Sequence, residues 1–295
     1  MTLFRHRFLL ASIITGLLLI GVLSAWYVIK RPTVYVKNMT IRADSEYVLF
    51  NCGMVLAVRD CYEYLPEIKD KYDDIYADTA HYTNNLTSDD LGKLKNLPDL
   101  KHLSINQNSI TDLTEIGKLT QLEGLYCGAG DRYDKPKDFT PLRNLTNLKY
   151  FSGLALYDLN DLTVFENTND LLLFQLTGAY IQNGLDVICS KRNLTVLALG
   201  GCKSDDFSPI GNCKNLKALF LYDTNVDDLN FLKNLINLEK IDIQGTNAVN
   251  YSVLLEMPSL THIKAYEDTI PEDIYEKLIK KGIHIDLYTK SGVLI

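Results

Sequence analysis

The sequence has one tryptophan, four methionines and five histidines in 295 residues. Motifs that carry chemistry are scarcer still. It contains no GxSxG, HExxH, P-loop or dinucleotide fingerprint, so the common nucleophilic, metalloprotease and nucleotide-handling sites leave no trace. It has no CxxC and no Cys/His ligand spacing, which argues against zinc ribbons and thioredoxin-like redox pairs. His6, His81, His102, His262 and His284 are scattered along the chain. The expectation is a protein with no catalytic residue, no cofactor and no metal. A basic excess is also missing. Thirty Lys and Arg stand against 37 Asp and Glu, for a net charge of -7, whereas nucleic-acid binding favours a basic patch or stripe. The acidic run "DKYDD", Asp70 to Asp74, lacks the glycine and terminal glutamate of a calcium loop and reads as solvated charge.

Charge is absent altogether from Phe8 to Ile29, an apolar run of 22 residues. As a helix it would measure roughly 33 Å, enough to cross a bilayer core of roughly 30 Å. Trp26 and Tyr27 sit at its end, as interfacial aromatics do. The alternative is a signal peptide cut after Ala25, but the run is long for one. Residues 1–31 are therefore expected to form a signal-anchor, making this a single-pass membrane protein. No lipobox cysteine follows the run, and the sequence carries no LPxTG-like sorting tail. Arg5 and Arg7 precede the run, and Lys30, Arg31, Lys37 and Arg42 follow it. That count leans towards cytoplasmic repeats, yet long domains are translocated despite such charges. The working expectation is that the repeats lie outside the cell.

The dominant feature is a repeat. Leu194, Leu216, Leu238 and Leu260 are each 22 residues apart, and the segments "LTVLALGGC", "LKALFLYDT" and "LEKIDIQGT" align without gaps. The same frame fits from Leu100 and, with four extra residues around "GDRYDKPK", from Leu122. Leu148 and Leu171 open units of 23, giving eight units in all. A fixed period of this length marks a solenoid, in which stacked units share a core that no single unit can close. The "LxxLxL" part is a short strand. Apolar residues three apart, such as Leu229, Leu232 and Leu235, suit 3₁₀ turns on the opposite side.

These units resemble bacterial leucine-rich repeats of the 22-residue internalin type, most closely in "FTPLRNLTNL" and "ITDLTEIGKLTQL". The resemblance spans Leu97 to about Ile270. It implies an α/β horseshoe with parallel strands on the concave face and irregular or 3₁₀ turns on the convex face. It also implies a binding scaffold rather than an enzyme. Of the family's asparagine ladder only Asn108 is kept; Leu156, Ala179, Cys202, Thr224, Thr246 and Asp268 follow at that position. Leu156 and Ala179 offer no polar group there, so the middle units should be less regular. The repeats are placed at 77–268, after a connecting segment and N-terminal cap at 32–76. A C-terminal cap at 269–295 consists of a helix in "TIPEDIYEKLIKKG" and a strand in "IHIDLY".

In this frame Cys127, Cys189, Cys202 and Cys213 fall at interior positions and read as small hydrophobes. Cys52 and Cys61 lie outside the repeats and could be a disulfide or a reduced pair. The third, fifth and seventh positions of each strand face the concave side. They place Tyr126 and Tyr150 in one aromatic group and Phe220, Tyr222 and Tyr266 in another, with Leu173 and Val196 on an apolar floor between. Lys240, Asp242 and Lys264 form the rim. The expected ligand for such a trough is a protein, peptide or glycan. The trough could instead be filled by the N-terminal segment or a second copy of the chain. A structural scaffold in a membrane or envelope complex is the alternative function.

Overall fold

The computed structural model describes residues 33–36, 39–42, 47–50, 80–81, 86–105, 110–128, 134–291 and 294. The apolar run Phe8–Ile29, Cys52, Cys61 and Asn108 lie outside the described residues, as does the stretch 51–76 of the expected N-terminal cap. Among the described residues, no helix is long and apolar enough to cross a membrane.

The repeats build one parallel sheet of 11 strands. Each of the eight units contributes one strand: β5 (His102–Ile105), β6 (Gly124–Gly128), β7 (Tyr150–Leu154), β8 (Leu173–Leu176), β10 (Val196–Ala198), β12 (Ala218–Phe220), β13 (Lys240–Asp242) and β14 (His262–Tyr266). The strand β15 (His284–Tyr288) closes one edge, and β3 (Tyr47–Phe50) and β4 (Ala80–His81) close the other. A hairpin of β1 (Thr33–Val36) and β2 (Met39–Arg42) stands outside this sheet. Register is strict. The third position of each unit pairs with the third of the next, from His102 through Gly124, Tyr150, Leu173, Val196, Ala218, Lys240 and His262 to His284. Residues one period apart therefore become lateral neighbours, at a strand spacing of about 4.8 Å.

The core lies between this sheet and the convex turns. Leucines at the first, fourth and sixth positions, among them Leu216, Leu219 and Leu221, are fully buried. Most units return through a 3₁₀ turn, such as Thr140–Asn144, Ser208–Asn212 or Asn230–Asn234. The middle of the solenoid departs from this, as expected. There an α-helix, α2 (Leu185–Cys189), replaces the 3₁₀ turn, and a small second parallel pair forms between β9 (Tyr180–Ile181) and β11 (Lys203–Ser204). The first helix among the described residues, α1 (Ser88–Leu91), starts on a capping box between Thr87 and Asp90.

Three periodic devices hold the turns. At the eighth position the chain bends through the left-handed region at Ala155, Gly178, Gly201, Asp223 and Gly245, with φ between 54° and 77°. Glycine suits this bend, whereas alanine has a Cβ that is strained in it. Ala155→Gly is expected to raise stability by about 1 kcal/mol; chemical denaturation checks this, and a loss would refute the strain. At the thirteenth position or its equivalent, Asp112, Asp138, Asp161, Asp206 and Asp228 each accept the backbone N–H two residues on, at 2.7–2.9 Å. At the end of the units, Asn147, Asn215 and Asn237 donate to carbonyls of the preceding unit, Thr120, Arg192 and Lys214, at 2.7–2.9 Å. These asparagines form a second set of bonds, at the unit ends and apart from the ninth-position ladder. At the ninth position Cys202, Thr224 and Thr246 do engage backbone carbonyls. Asp268 instead pairs with Lys290 at 2.8 Å.

The aspartate caps give the fold an acid sensitivity. The Thr114, Thr140 and Thr163 hydroxyls, then their backbone N–H groups, hold Asp112, Asp138 and Asp161 below the ordinary carboxyl range. The Asn230 backbone N–H does the same for Asp228. A depressed carboxyl contributes stability that is complete above its unfolded value, near about 3.9, and is lost as pH falls through the lower folded value. The melting temperature should hold down to about pH 5 and fall below about pH 4. An unchanged melting temperature at about pH 3 would contradict this.

At the C-terminal end, α3 (Glu272–Lys280) lies within the predicted capping stretch, with Glu272 and Asp273 in its first turn and Lys277 and Lys280 in its last. That order suits the helix dipole. Lys281 ties it to the last repeats by donating to the Leu255 and Met257 carbonyls at 2.9 and 2.7 Å.

Candidate recognition face

The concave face divides into two halves. In the N-terminal half the outward residues are buried. Tyr126, Tyr150, Leu173, Val196 and Ala218 form a second apolar cluster, separate from the main core. Tyr126 is 7% exposed, Tyr150, Leu173 and Val196 each 1%. This corrects the expectation of an open trough with Tyr126 and Tyr150 as a wall and Leu173 and Val196 as its floor. All four are on the concave side, but they are not accessible. At Gly124 an added Cβ would stand 2.3 Å from His102 Nδ1. The missing side chain lets the His102 and Tyr150 rings, two rungs apart, approach to 5.8 Å between centroids, with Tyr126 stacked on His102 at 6.3 Å. Beside them Ser152 donates to Gln175 Oε1 at 2.8 Å, and both are buried.

The C-terminal half is open. A cleft of about 210 Å³ is lined by Phe220, Lys240, Asp242, His262, Lys264 and Asp286. Phe220, Tyr222, Lys264 and Tyr266 are partly exposed here, as expected. Asp242 is not a rim residue: it is 6% exposed and accepts the Gln244 backbone N–H at 3.1 Å. Tyr222 lies over Gly200 on the neighbouring rung, where an added Cβ would fall 1.9 Å from its Cζ. Its aromatic ring therefore occupies space that only a glycine neighbour leaves. Burial, then the nearby Asp242 charge, raises the Tyr222 hydroxyl above its usual range, so it stays a neutral donor at physiological pH. Along the strands the fifth positions read Phe220, Asp242, Lys264 and Asp286, and the third positions Ala218, Lys240, His262 and His284. The surface is a chequer of charge next to an aromatic edge.

Sequence reading missed one cluster on this face. His262 and His284 are 22 residues apart and, by register, lateral neighbours. Asp286 Oδ2 lies 2.8 Å from His262 Nε2, and its Oδ1 lies 2.9 Å from His284 Nε2. The ligand-type atoms of all three lie within 4.8 Å of one another. Linear motifs do not show this cluster, because its spacing is one repeat period. His284 is exposed, whereas His262 and Asp286 are partly buried.

The cysteines carry no comparable site. Cys127, Cys189, Cys202 and Cys213 are free and buried. Burial pushes the thiols of Cys127 and Cys202 up to about 12 and about 11, and Cys189 is raised by its hydrogen bond with Cys213 and by burial. Protonated thiols of this kind are poor nucleophiles.

A parallel sheet built one strand per period, with 3₁₀ turns behind it, defines the class: the chain is a leucine-rich-repeat solenoid. Its structural neighbours include internalins. It resembles internalin C2 of Listeria monocytogenes with a TM-score of 0.55 and 22% identity, over 62% of this chain and 77% of that one. It resembles an internalin, inlF, of the same organism with a TM-score of 0.50 and 20% identity, over 72% and 73%. The PEPR1–AtPEP1 complex is similar at a TM-score of 0.50 and 18% identity, over 70% of this chain but only 31% of that one. No protein-family model and no curated protein sequence matches the chain.

Proposed function

We propose that this is a non-enzymatic, membrane-anchored recognition protein that binds a protein or peptide on the C-terminal half of its concave face. The observation that carries this reading is the asymmetry of that face. In its N-terminal half the outward residues are buried in a second apolar cluster, while the cleft from Phe220 to Asp286 presents charge of both signs beside Phe220, Tyr222 and Tyr266. An aromatic anchor beside paired charges fits a peptide segment better than a small apolar molecule. The PEPR1–AtPEP1 complex shows a protein of similar fold in complex with a partner. The apolar run Phe8–Ile29 supports a single-pass anchor in the cell membrane, and we take the repeats to lie outside the cell.

The test starts with binders selected from a random peptide display library on the immobilised full chain. Lys264→Glu and Phe220→Ala should each weaken the selected peptides about tenfold or more. Ile236→Ala, an exposed convex residue, should leave them unchanged. Peptides indifferent to both concave variants would refute the site. For the anchor, protease on intact cells should digest the repeats; protection until lysis would place them inside.

A further inference from the structure

We infer that His262, His284 and Asp286 form a binding site for a divalent transition metal of the zinc class. The inference stands on these three residues and not on the cleft's being the recognition face. The solenoid produces the arrangement directly. His284 and Asp286 are two apart on β15 and so point to the same side, and His262 pairs with His284 across the β14–β15 ladder. Three ligating groups thus converge from two neighbouring strands. Both imidazoles address the carboxylate through Nε2, at 2.8 and 2.9 Å, each on a different oxygen. The histidine rings lie 4.8 Å apart between centroids. Zinc bonds of about 2.0–2.2 Å in a tetrahedron place ligand atoms about 3.3 Å apart. The three atoms are within 4.8 Å already, so side-chain rotations of about an ångström would seat an ion.

Donor chemistry selects the class. Two imidazoles and one carboxylate suit zinc, cobalt, nickel or copper, while magnesium and calcium prefer all-oxygen sets. Three protein ligands leave a coordination position open, and two of them, His262 and Asp286, line the cleft of about 210 Å³. The charges nearby set the strength. Lys264 pairs in register with Asp286, and Lys240 with His262. Two ammonium groups beside the ion weaken it, so affinity should be modest, on the order of micromolar.

The experiment uses the full chain, stripped with chelator and titrated with cobalt(II), whose visible absorption reports its ligand field. Zinc is then added as competitor. One cobalt per chain, displaced by zinc, is expected. His284→Ala, which alters an exposed side chain, should weaken binding at least about tenfold. Asp286→Asn should weaken it similarly, and Lys264→Met should tighten it. No absorption change on titration would overturn the site, as would binding that is unchanged in His284→Ala. The second outcome would assign the metal to other residues, and it remains readable even if Asp286→Asn fails to fold.

Discussion

Phe174→Ala should cost about 3–5 kcal/mol and unfold a large part of the solenoid at physiological temperature. Phe151, Phe165 and Phe174 are each fully buried where the middle units meet. Their ring centroids lie 4.6 Å apart for Phe151 and Phe165, 5.4 Å for Phe151 and Phe174, and 5.2 Å for Phe165 and Phe174. Removing the Phe174 ring leaves a cavity bounded by the other two, and the strands on either side are fixed by the parallel ladder, so collapse is limited. The units here also lack the polar ninth-position residue, having Leu156 and Ala179 instead. The aromatic triad therefore replaces ladder hydrogen bonds with apolar packing. Because each unit rests on its neighbours, a weak centre separates the two ends. Urea denaturation followed by circular dichroism should show a lowered midpoint and a broadened transition. A change under about 1 kcal/mol would refute the role of the triad.

Tyr150→Ala should lose about 3 kcal/mol, whereas Tyr266→Ala should lose less than about 1 kcal/mol. Both residues sit on the concave face, and both would look alike to a sequence reading. The difference is burial: Tyr150 is 1% exposed and within 5.8 Å of the His102 ring, whereas Tyr266 is partly exposed near the open end. A protein whose concave aromatics were all free contact residues would tolerate both changes equally. Thermal melts of the two variants decide it, and equal losses would contradict the division of the face into a closed half and an open half.

That division marks how far the sequence is legible. The period of 22 locates every strand of the repeats, because leucine spacing is set by a core that all units share. The eighth-position bend leaves a trace in "LTGAY", "LGGCK" and "QGTNA", where a glycine follows the strand, but none at Ala155 or Asp223; the unit-end asparagines recur in "TNL", "KNL" and "INL". Those signals are local and periodic. Exposure on the concave face is neither. Whether Tyr150 is open depends on Gly124 and His102, one and two rungs away. Tyr222 owes its position to Gly200 in the preceding unit. The His262, His284 and Asp286 cluster likewise requires residues from successive periods to be laid side by side. A sequence read along one unit at a time shows which face a side chain takes, but not what it meets there.

The central claim is that recognition occurs at the open C-terminal half of the concave sheet. Amide hydrogen exchange of the full chain, with and without the tightest peptide selected on it, tests this most directly. The account predicts that the peptide slows exchange in β13, β14 and β15, from Lys240 to Tyr288, and leaves the convex turns at Ser208–Asn212 and Asn230–Asn234 unchanged. Protection confined to those turns, or to the flank formed by Ser204–Ser208 and Asn225–Asp228, would contradict it.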